Sequence, residues 1–253
     1  MDPTRLTFFL DLAPDEYAEA VAFWCAATGY DLSPSRGEHG EFASLVPPSG
    51  DDHLRVQRLE EGPSGVHLDL YVEDLDAALE HAADSGATLV SRDGHAVLRS
   101  PGGFPFCLVP GPVATPSEPS VWPADAADAA GHRSRIDQLC LDIGPSAYAA
   151  ECAFWEALAG WPTQLTPRGE FTRLRVRPAL RMRILLQRLE HDEGPVRGHL
   201  DVATDDRAAE VRRLTALGAV PIGEGSMWTV LRPPAGPVVC VTGRDPVTGH
   251  TSG

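Results

Sequence analysis

Residues 65–72 read GVHLDLYV and residues 198–204 read GHLDVAT, so that the triplet His67-Leu68-Asp69 recurs as His199-Leu200-Asp201, 132 positions later. In both copies polar and apolar side chains alternate, which is the period of a β-strand with one face in a core. The alternation predicts that the other face presents a histidine and a carboxylate to a cavity. This pair of polar side chains is the strongest functional signal in the sequence.

The repeat extends well beyond these two strands. Gly86 has its counterpart in Gly218 at the same offset, and Phe23-Trp24 recurs as Phe154-Trp155. Around these points the order strand, helix, three strands is predicted four times. The chain is therefore expected to be a tandem duplication with an α+β fold, in which domains at 5–111 and 134–243 each contain two β-α-β-β-β units.

Local signals place the boundaries of several elements. Residues 6–12 read as a buried strand, and the helix after it ends at Gly29, as its counterpart ends at Gly160. Residues 112–133 are rich in Pro, Ala and Asp and are predicted to form a linker, and residues 244–253 a flexible tail.

The amino-acid composition limits which classes of binding partner are expected. Of the 253 residues, 36 are acidic and 21 are basic, which gives a net charge of −15 and argues against nucleic acid as a partner. We interpret the excess as a solvated acidic surface, although it also favours a cationic ligand. No apolar run reaches the roughly 20 residues that span a bilayer, and no signal peptide is evident, so a cytoplasmic protein without a membrane partner is expected. The five cysteines are scattered and predicted to be reduced core residues.

The chain resembles the vicinal oxygen chelate superfamily in several features. They are the four units, the Phe23-Trp24 helix, the Gln57-Arg58 strand, the histidine strand and the hairpin sequence SPGGFPFCL at 100–108. Within it, the chain resembles the glyoxalase-like domain proteins of actinobacterial type. The resemblance implies curled, cup-shaped mixed sheets with helices outside. It leaves the activity open, since the superfamily includes glyoxalase I, methylmalonyl-CoA epimerase, extradiol dioxygenases, fosfomycin-modifying enzymes and bleomycin-binding proteins without catalytic activity.

In metal-dependent members of this superfamily, a divalent metal is held by histidine, glutamate or glutamine side chains. The resemblance carries the histidine ligand onto His67 and His199 and an amide ligand onto Gln57 and Gln187. The glutamate of the last strand falls on Pro105 and Val238, neither of which can bind a metal. Because hard divalent cations prefer anionic oxygen, a cup without an intact metal triad is expected.

Other polar residues are candidates for contacts with a ligand or for catalysis. Tyr71 shares the face of the histidine strand, and Arg58 and Arg188, duplicated in the two halves, are suited to pair with a carboxylate on a ligand. Asp69 and Asp201 are candidate general bases, or alternatively caps of the following helices.

Two functions of different class remain at this stage. The first is binding or sequestration of a small molecule, a drug or a metabolite, in a metal-free cup. The alternative is a lyase, isomerase or extradiol-type dioxygenase in which Fe, Zn, Mn or Ni is held by an atypical ligand set that includes His67 and His199. In either case the partner is a small molecule, and the protein is expected to be a pseudo-twofold monomer or a homodimer.

Overall fold

The computed structural model describes residues 1–124 and 130–251. The helices are α1 (Tyr17–Thr28), α2 (Leu75–Asp84), α3 (Tyr148–Ala159) and α4 (Arg207–Ala216). The strands of the first half are β1 (Arg5–Leu12), β2 (Asp31–Leu32), β3 (Phe42–Val46), β4 (Leu54–Arg58), β5 (Gly65–Val72), β6 (Thr88–Asp93), β7 (His95–Arg99) and β8 (Pro105–Pro110). They are followed by β9 (Ser120–Trp122), β10 (His132–Ile143), β11 (Thr163–Leu165), β12 (Phe171–Leu174), β13 (Arg183–Arg188), β14 (Arg197–Thr204), β15 (Val220–Glu224), β16 (Trp228–Arg232) and β17 (Val239–Gly243).

The strands form two mixed sheets with the same topology. The order is β2-β3-β4-β1-β5-β8-β7-β6 in the first sheet and β11-β12-β13-β10-β14-β17-β16-β15 in the second, with β9 added to β10. In both sheets the histidine strand is parallel to the last strand of its half, β5 to β8 and β14 to β17. The predicted α+β fold with two tandem sheets is confirmed.

Helix ends follow local chemistry. Gly29 ends α1 in the left-handed region at φ 71°, where its N–H donates to Cys25 O at 2.8 Å, and Gly160 ends α3 in the same way. Asp74 caps α2 by accepting from Ala77 N at 3.0 Å, and Asp206 caps α4. Helix capping, which the sequence left open for Asp69 and Asp201, is therefore performed by other residues.

The chain divides into two compact units that do not follow the sequence repeat. The first unit contains Met1–Phe9, Val66–Thr115 and Leu139–Gly198, and the second contains Leu10–Gly65, Pro116–Gln138 and His199–Gly253. Each unit thus combines one β-α-β-β-β module from each half. The domain bounds expected from the repeat, 5–111 and 134–243, remain a prediction.

The first unit has an aromatic core. The Phe106 ring packs against Trp155 with centroids 5.4 Å apart and against Phe154 at 5.8 Å. On its border, Gly102 N donates to the Glu151 carboxylate, and Val196 N donates to Gly102 O at 2.8 Å. These contacts join segments from the two halves of the sequence inside one unit.

The second unit contains a buried polar network. Glu210 has a fully buried side chain and accepts from Arg213 Nη2 at 2.8 Å, and its Oε2 lies 2.8 Å from His132 Nε2. The Arg213 guanidinium stacks on Trp122, which belongs to the predicted linker, at 3.5 Å from the ring centroid. Part of the predicted linker is therefore packed as strand β9. Among the described residues, no helix is both long and apolar enough to cross a membrane.

Candidate functional site

The first cluster of chemically active side chains lies in the first unit, on neighbouring parallel strands. His67 and Asp69 project from β5 and Cys107 from β8, where Asp69 and Cys107 are directly paired in register. All three residues are buried, and their ligand atoms lie within 4.8 Å of one another. Nε2 of His67 is 3.6 Å from Oδ1 of Asp69. Strand alternation and register are sufficient to produce this convergence.

Aromatic side chains fix the first cluster. The Phe9 ring, from β1, is stacked on the imidazole of His67 with centroids 4.4 Å apart and planes 11° apart. Tyr71 is also buried on this strand, and the Arg5 guanidinium lies 4.9 Å from its ring centroid. The histidine is thus held by packing, which limits its rotation.

The second cluster repeats this arrangement in the second unit. His199 and Asp201 project from β14 and Cys240 from β17, and Asp201 is paired in register with Cys240. Nε2 of His199 lies 3.5 Å from Oδ1 of Asp201. The side chains are as deeply buried as in the first cluster. Two independent copies of one geometry therefore come from the duplicated His-x-Asp strand and a cysteine on the strand beside it.

Asp201 has different environments at its two oxygens. Oδ2 accepts from Nε2 of Gln138, whereas Oδ1 is buried and has no hydrogen-bond partner among the described residues. Burial raises the pKa of Asp201, an effect that the nearby His199 and Arg244 partly oppose. The carboxyl group is consequently suited to hold a proton that an exposed aspartate would release.

Arg244 organises the second cluster from a position that the sequence did not indicate. Its side chain is 8% exposed, and Nη2 donates to Asp137 Oδ1 at 2.8 Å. Nη1 donates to Gln138 Oε1 at 3.2 Å, so that Arg244 orients the amide that in turn contacts Asp201. Sequence reasoning missed it because Arg244 stands in the predicted tail and its repeat counterpart is Gly111.

The remaining predicted ligand contacts lie on β4 and β13. Gln57 and Arg58 belong to the second unit, whereas Gln187 and Arg188 belong to the first. The Arg58 guanidinium lies 6.0 Å from the centroid of the Tyr17 ring. Gln187 Oε1 lies 3.7 Å from the sulfur of Cys140. The role of these four residues in binding stays a prediction.

The strand that should carry a glutamate carries a thiol instead. Pro105 begins β8 and pairs with Arg99, and Val238 directly precedes β17. Two residues further on, and so on the same face of each strand, stand Cys107 and Cys240. Burial raises the pKa of Cys107, while the neighbouring His67 acts in the opposite direction. The described part of each cluster therefore offers imidazole, carboxylate and sulfur.

Two mixed sheets of one topology in tandem, each with a histidine strand parallel to the last strand of its half, define a protein of the vicinal oxygen chelate superfamily. The model of the glyoxalase-like domain matches residues 7–109 and again residues 138–242, and the chain belongs to that family.

Solved structures agree with this classification. The Mn(II)-bound glyoxalase from Novosphingobium aromaticivorans is 17% identical, with a TM-score of 0.65 over 95% of this chain and 82% of the other. Homoprotocatechuate 2,3-dioxygenase from Arthrobacter globiformis is 14% identical, with a TM-score of 0.66 over 99% of this chain and 84% of the other. For 2,2',3-trihydroxybiphenyl 1,2-dioxygenase from Sphingomonas wittichii the identity is 17% and the TM-score 0.61, over 95% and 90%. No curated protein matches the sequence significantly. At these identities the likeness establishes the fold.

Proposed function

We propose that this protein binds a small aromatic molecule at the two His-Asp-Cys clusters, and that it does so without the carboxylate-containing metal triad of its metal-dependent relatives. The observation that carries the proposal is the exchange on the last strand, where both halves present a cysteine on the face expected to carry a glutamate. At that position of the last strand, a divalent metal of the hard type would find a sulfur in place of the anionic oxygen that it prefers.

The chemistry of the clusters suits a neutral ligand with hydroxyl groups. In the second cluster, Asp137 and Arg244 neutralise each other, and the protonated form of Asp201 both donates and accepts hydrogen bonds. In the first cluster, Phe9 supplies an aromatic ring stacked on His67, and Tyr71 lies on the same strand. A phenol or a catechol satisfies both requirements. Two of the structurally similar proteins are also catechol dioxygenases.

The predicted contacts outside the clusters complete this proposal. Gln57 and Gln187 supply amides, and Arg58 and Arg188 would pair with a carboxylate on a larger ligand. The five free cysteines fit a reducing compartment such as the cytoplasm.

The experiment is a calorimetric titration of metal-free protein, treated with chelator, with catechol and phenol. We expect saturable binding that weakens at least tenfold in His199→Ala or His67→Ala and is unchanged in the exposed control His39→Ala. No binding by any member of a panel of phenols, or binding unchanged in both cluster variants, would contradict the proposal.

A second candidate function is a metal-dependent enzyme, and the three potential ligands in each cluster favour it. The structurally similar proteins include a Mn(II)-bound glyoxalase and several dioxygenases. With a divalent metal bound, His67 or His199 would act as a ligand, and Asp69 or Asp201 as a ligand or general base. Ring cleavage of catechol by iron-loaded protein, lost in both histidine variants, would support this candidate, and absence of turnover would exclude it for that substrate.

A further inference from the structure

The distance between histidine and aspartate in each cluster is longer than that of a hydrogen-bonded pair. Nε2 of His67 lies 3.6 Å from Asp69, and Nε2 of His199 lies 3.5 Å from Asp201. Hydrogen bonds of this type fall at about 2.7–3.2 Å. Two ligands bound tetrahedrally at about 2.0–2.1 Å from one zinc ion would be about 3.4 Å apart. Both pairs are therefore spaced as neighbouring ligands of one ion.

In the second cluster, one carboxylate oxygen is left available to an ion. Gln138 donates to Oδ2 of Asp201, and Oδ1, the oxygen nearer to His199, is buried and accepts no hydrogen bond from the residues that the structure describes. Such an atom is costly to bury unless a partner compensates it. A ligand carboxylate held at its other oxygen by an outer side chain is the usual arrangement around a protein-bound metal. Arg244 extends that support by donating to Gln138.

The donor set determines which metal fits. Cys107 and Cys240 complete the two clusters with a sulfur within 4.8 Å of the other ligand atoms. Thiolate with imidazole and one carboxylate suits Zn²⁺ or Co²⁺, whereas Mn²⁺ and Mg²⁺ favour all-oxygen or oxygen-rich sites. Three protein ligands leave a fourth position for water or another small ligand.

We infer that His67-Asp69-Cys107 and His199-Asp201-Cys240 are each a three-ligand site for one thiophilic divalent cation, in which the cysteine sulfur takes the place of a carboxylate. This inference goes beyond the small-molecule binding proposed first, which requires no metal, and it gives the second candidate function a specific donor set and class of metal. Since the two copies share the residues, the register and the spacing, they form one kind of site present twice.

The test is a titration of the ligand-free protein with Co²⁺ under anaerobic, reducing conditions. A thiolate bound to Co²⁺ gives a charge-transfer band in the near ultraviolet together with the visible bands of a tetrahedral ion. We expect saturation at about two Co²⁺ per chain, displacement by stoichiometric Zn²⁺, and no displacement by a large excess of Mn²⁺.

Matched variants assign the sulfur ligands. Cys107→Ser and Cys240→Ser should each halve the charge-transfer amplitude, and the double variant should abolish it. Cys25→Ser, which changes a half-buried thiol outside both clusters, should leave the amplitude unchanged. A protein without the band, or a band that survives in the double variant, would overturn the inference.

Two further outcomes remain decisive if a serine variant folds poorly. Asp201→Asn keeps the hydrogen-bond acceptor for Gln138 and should still weaken Co²⁺ binding at the second cluster at least tenfold, while unchanged affinity would contradict the assignment. The titration contains no organic ligand, and the catechol titration contains chelator. Each proposal can therefore fail while the other holds.

Discussion

Nε2 of His81, on helix α2 of the first half, lies 3.2 Å from the carbonyl oxygen of Leu158, near the end of helix α3 in the second half. The same nitrogen is 3.0 Å from the carbonyl of Ala157. In the second unit, Arg213 has the equivalent position on α4 and donates to Ala27 O at 2.6 Å at the end of α1. Each unit thus uses a basic side chain from one half to satisfy the free carbonyls of a helix from the other half.

His81→Ala should lower the free energy of unfolding by about 1 kcal/mol, because the Ala157 carbonyl loses this side-chain partner and the Leu158 carbonyl keeps only the Met1 amine. His81→Arg should recover most of that loss by reproducing the contact that Arg213 makes. Urea denaturation measures both effects. The exposed control His39→Ala should remain within a few tenths of a kcal/mol of the wild type, by the usual behaviour of surface substitutions. Equal stability of His81→Ala and the wild type would disprove the role of the contact.

Glu210→Ala should destabilise the protein by about 3 kcal/mol, since it leaves the buried His132 and the partly buried Arg213 guanidinium without their shared anionic partner. The measurement is again urea denaturation. In a double-mutant cycle, Arg213→Ala combined with Glu210→Ala should cost clearly less than the sum of the two single changes. Additive losses would mean that the two side chains contribute independently.

Asp201→Asn should stabilise the metal-free protein at neutral pH. Burial raises the folded-state pKa of Asp201, so the native state holds more protons than the unfolded state between the two pKa values. The free energy of unfolding therefore falls as pH rises between these two pKa values. Asparagine does not titrate, so the variant should lose this part of the dependence of stability on pH. Melting temperatures measured with chelator from pH 4 to pH 8 test this. The exposed control Glu60→Gln should retain the wild-type slope, and an unchanged slope in Asp201→Asn would refute the argument.

Fragments 1–115 and 116–253 should each lose the cooperative unfolding transition of the intact chain, because every compact unit contains residues from both. Mixing the two fragments should restore the transition and yield a 1:1 complex in size-exclusion chromatography. A monomeric fragment 1–115 that unfolds with the stability of the full chain would contradict this expectation.

Local sequence signals were sufficient to predict the fold, but not the division of the chain into two compact units. The glycines that end α1 and α3, the strand at 95–99 and the polar face of His67 and Asp69 follow from periodicity and capping. The composition of each unit could not be predicted, because it depends on contacts between distant segments that leave no local period. Arg244 is the clearest case, since its partner Asp137 lies 107 positions earlier.

From the sequence, the cysteines of the two clusters were interpreted as core thiols. That interpretation did not predict that each lies beside a histidine and an aspartate. A signal was nevertheless present. Cys107 and Cys240 stand two residues after the positions onto which the family resemblance carries a glutamate, and therefore on the same face of the strand. The step that could not be taken without coordinates was the parallel register that sets Asp69 beside Cys107.

The mixed composition of the units also bears on how the halves diverged. Suppose that the ancestral gene encoded only one half and that two identical copies of that chain assembled. Every amino-acid substitution then altered both equivalent contacts at once. Fusion released that constraint, because each equivalent position then had its own codon. The helix-end contact is now made by His81 in one unit and by Arg213 in the other, and Ala78 corresponds to Glu210. Fusion thus allowed one of two equivalent positions to acquire a buried charge while the other stayed apolar.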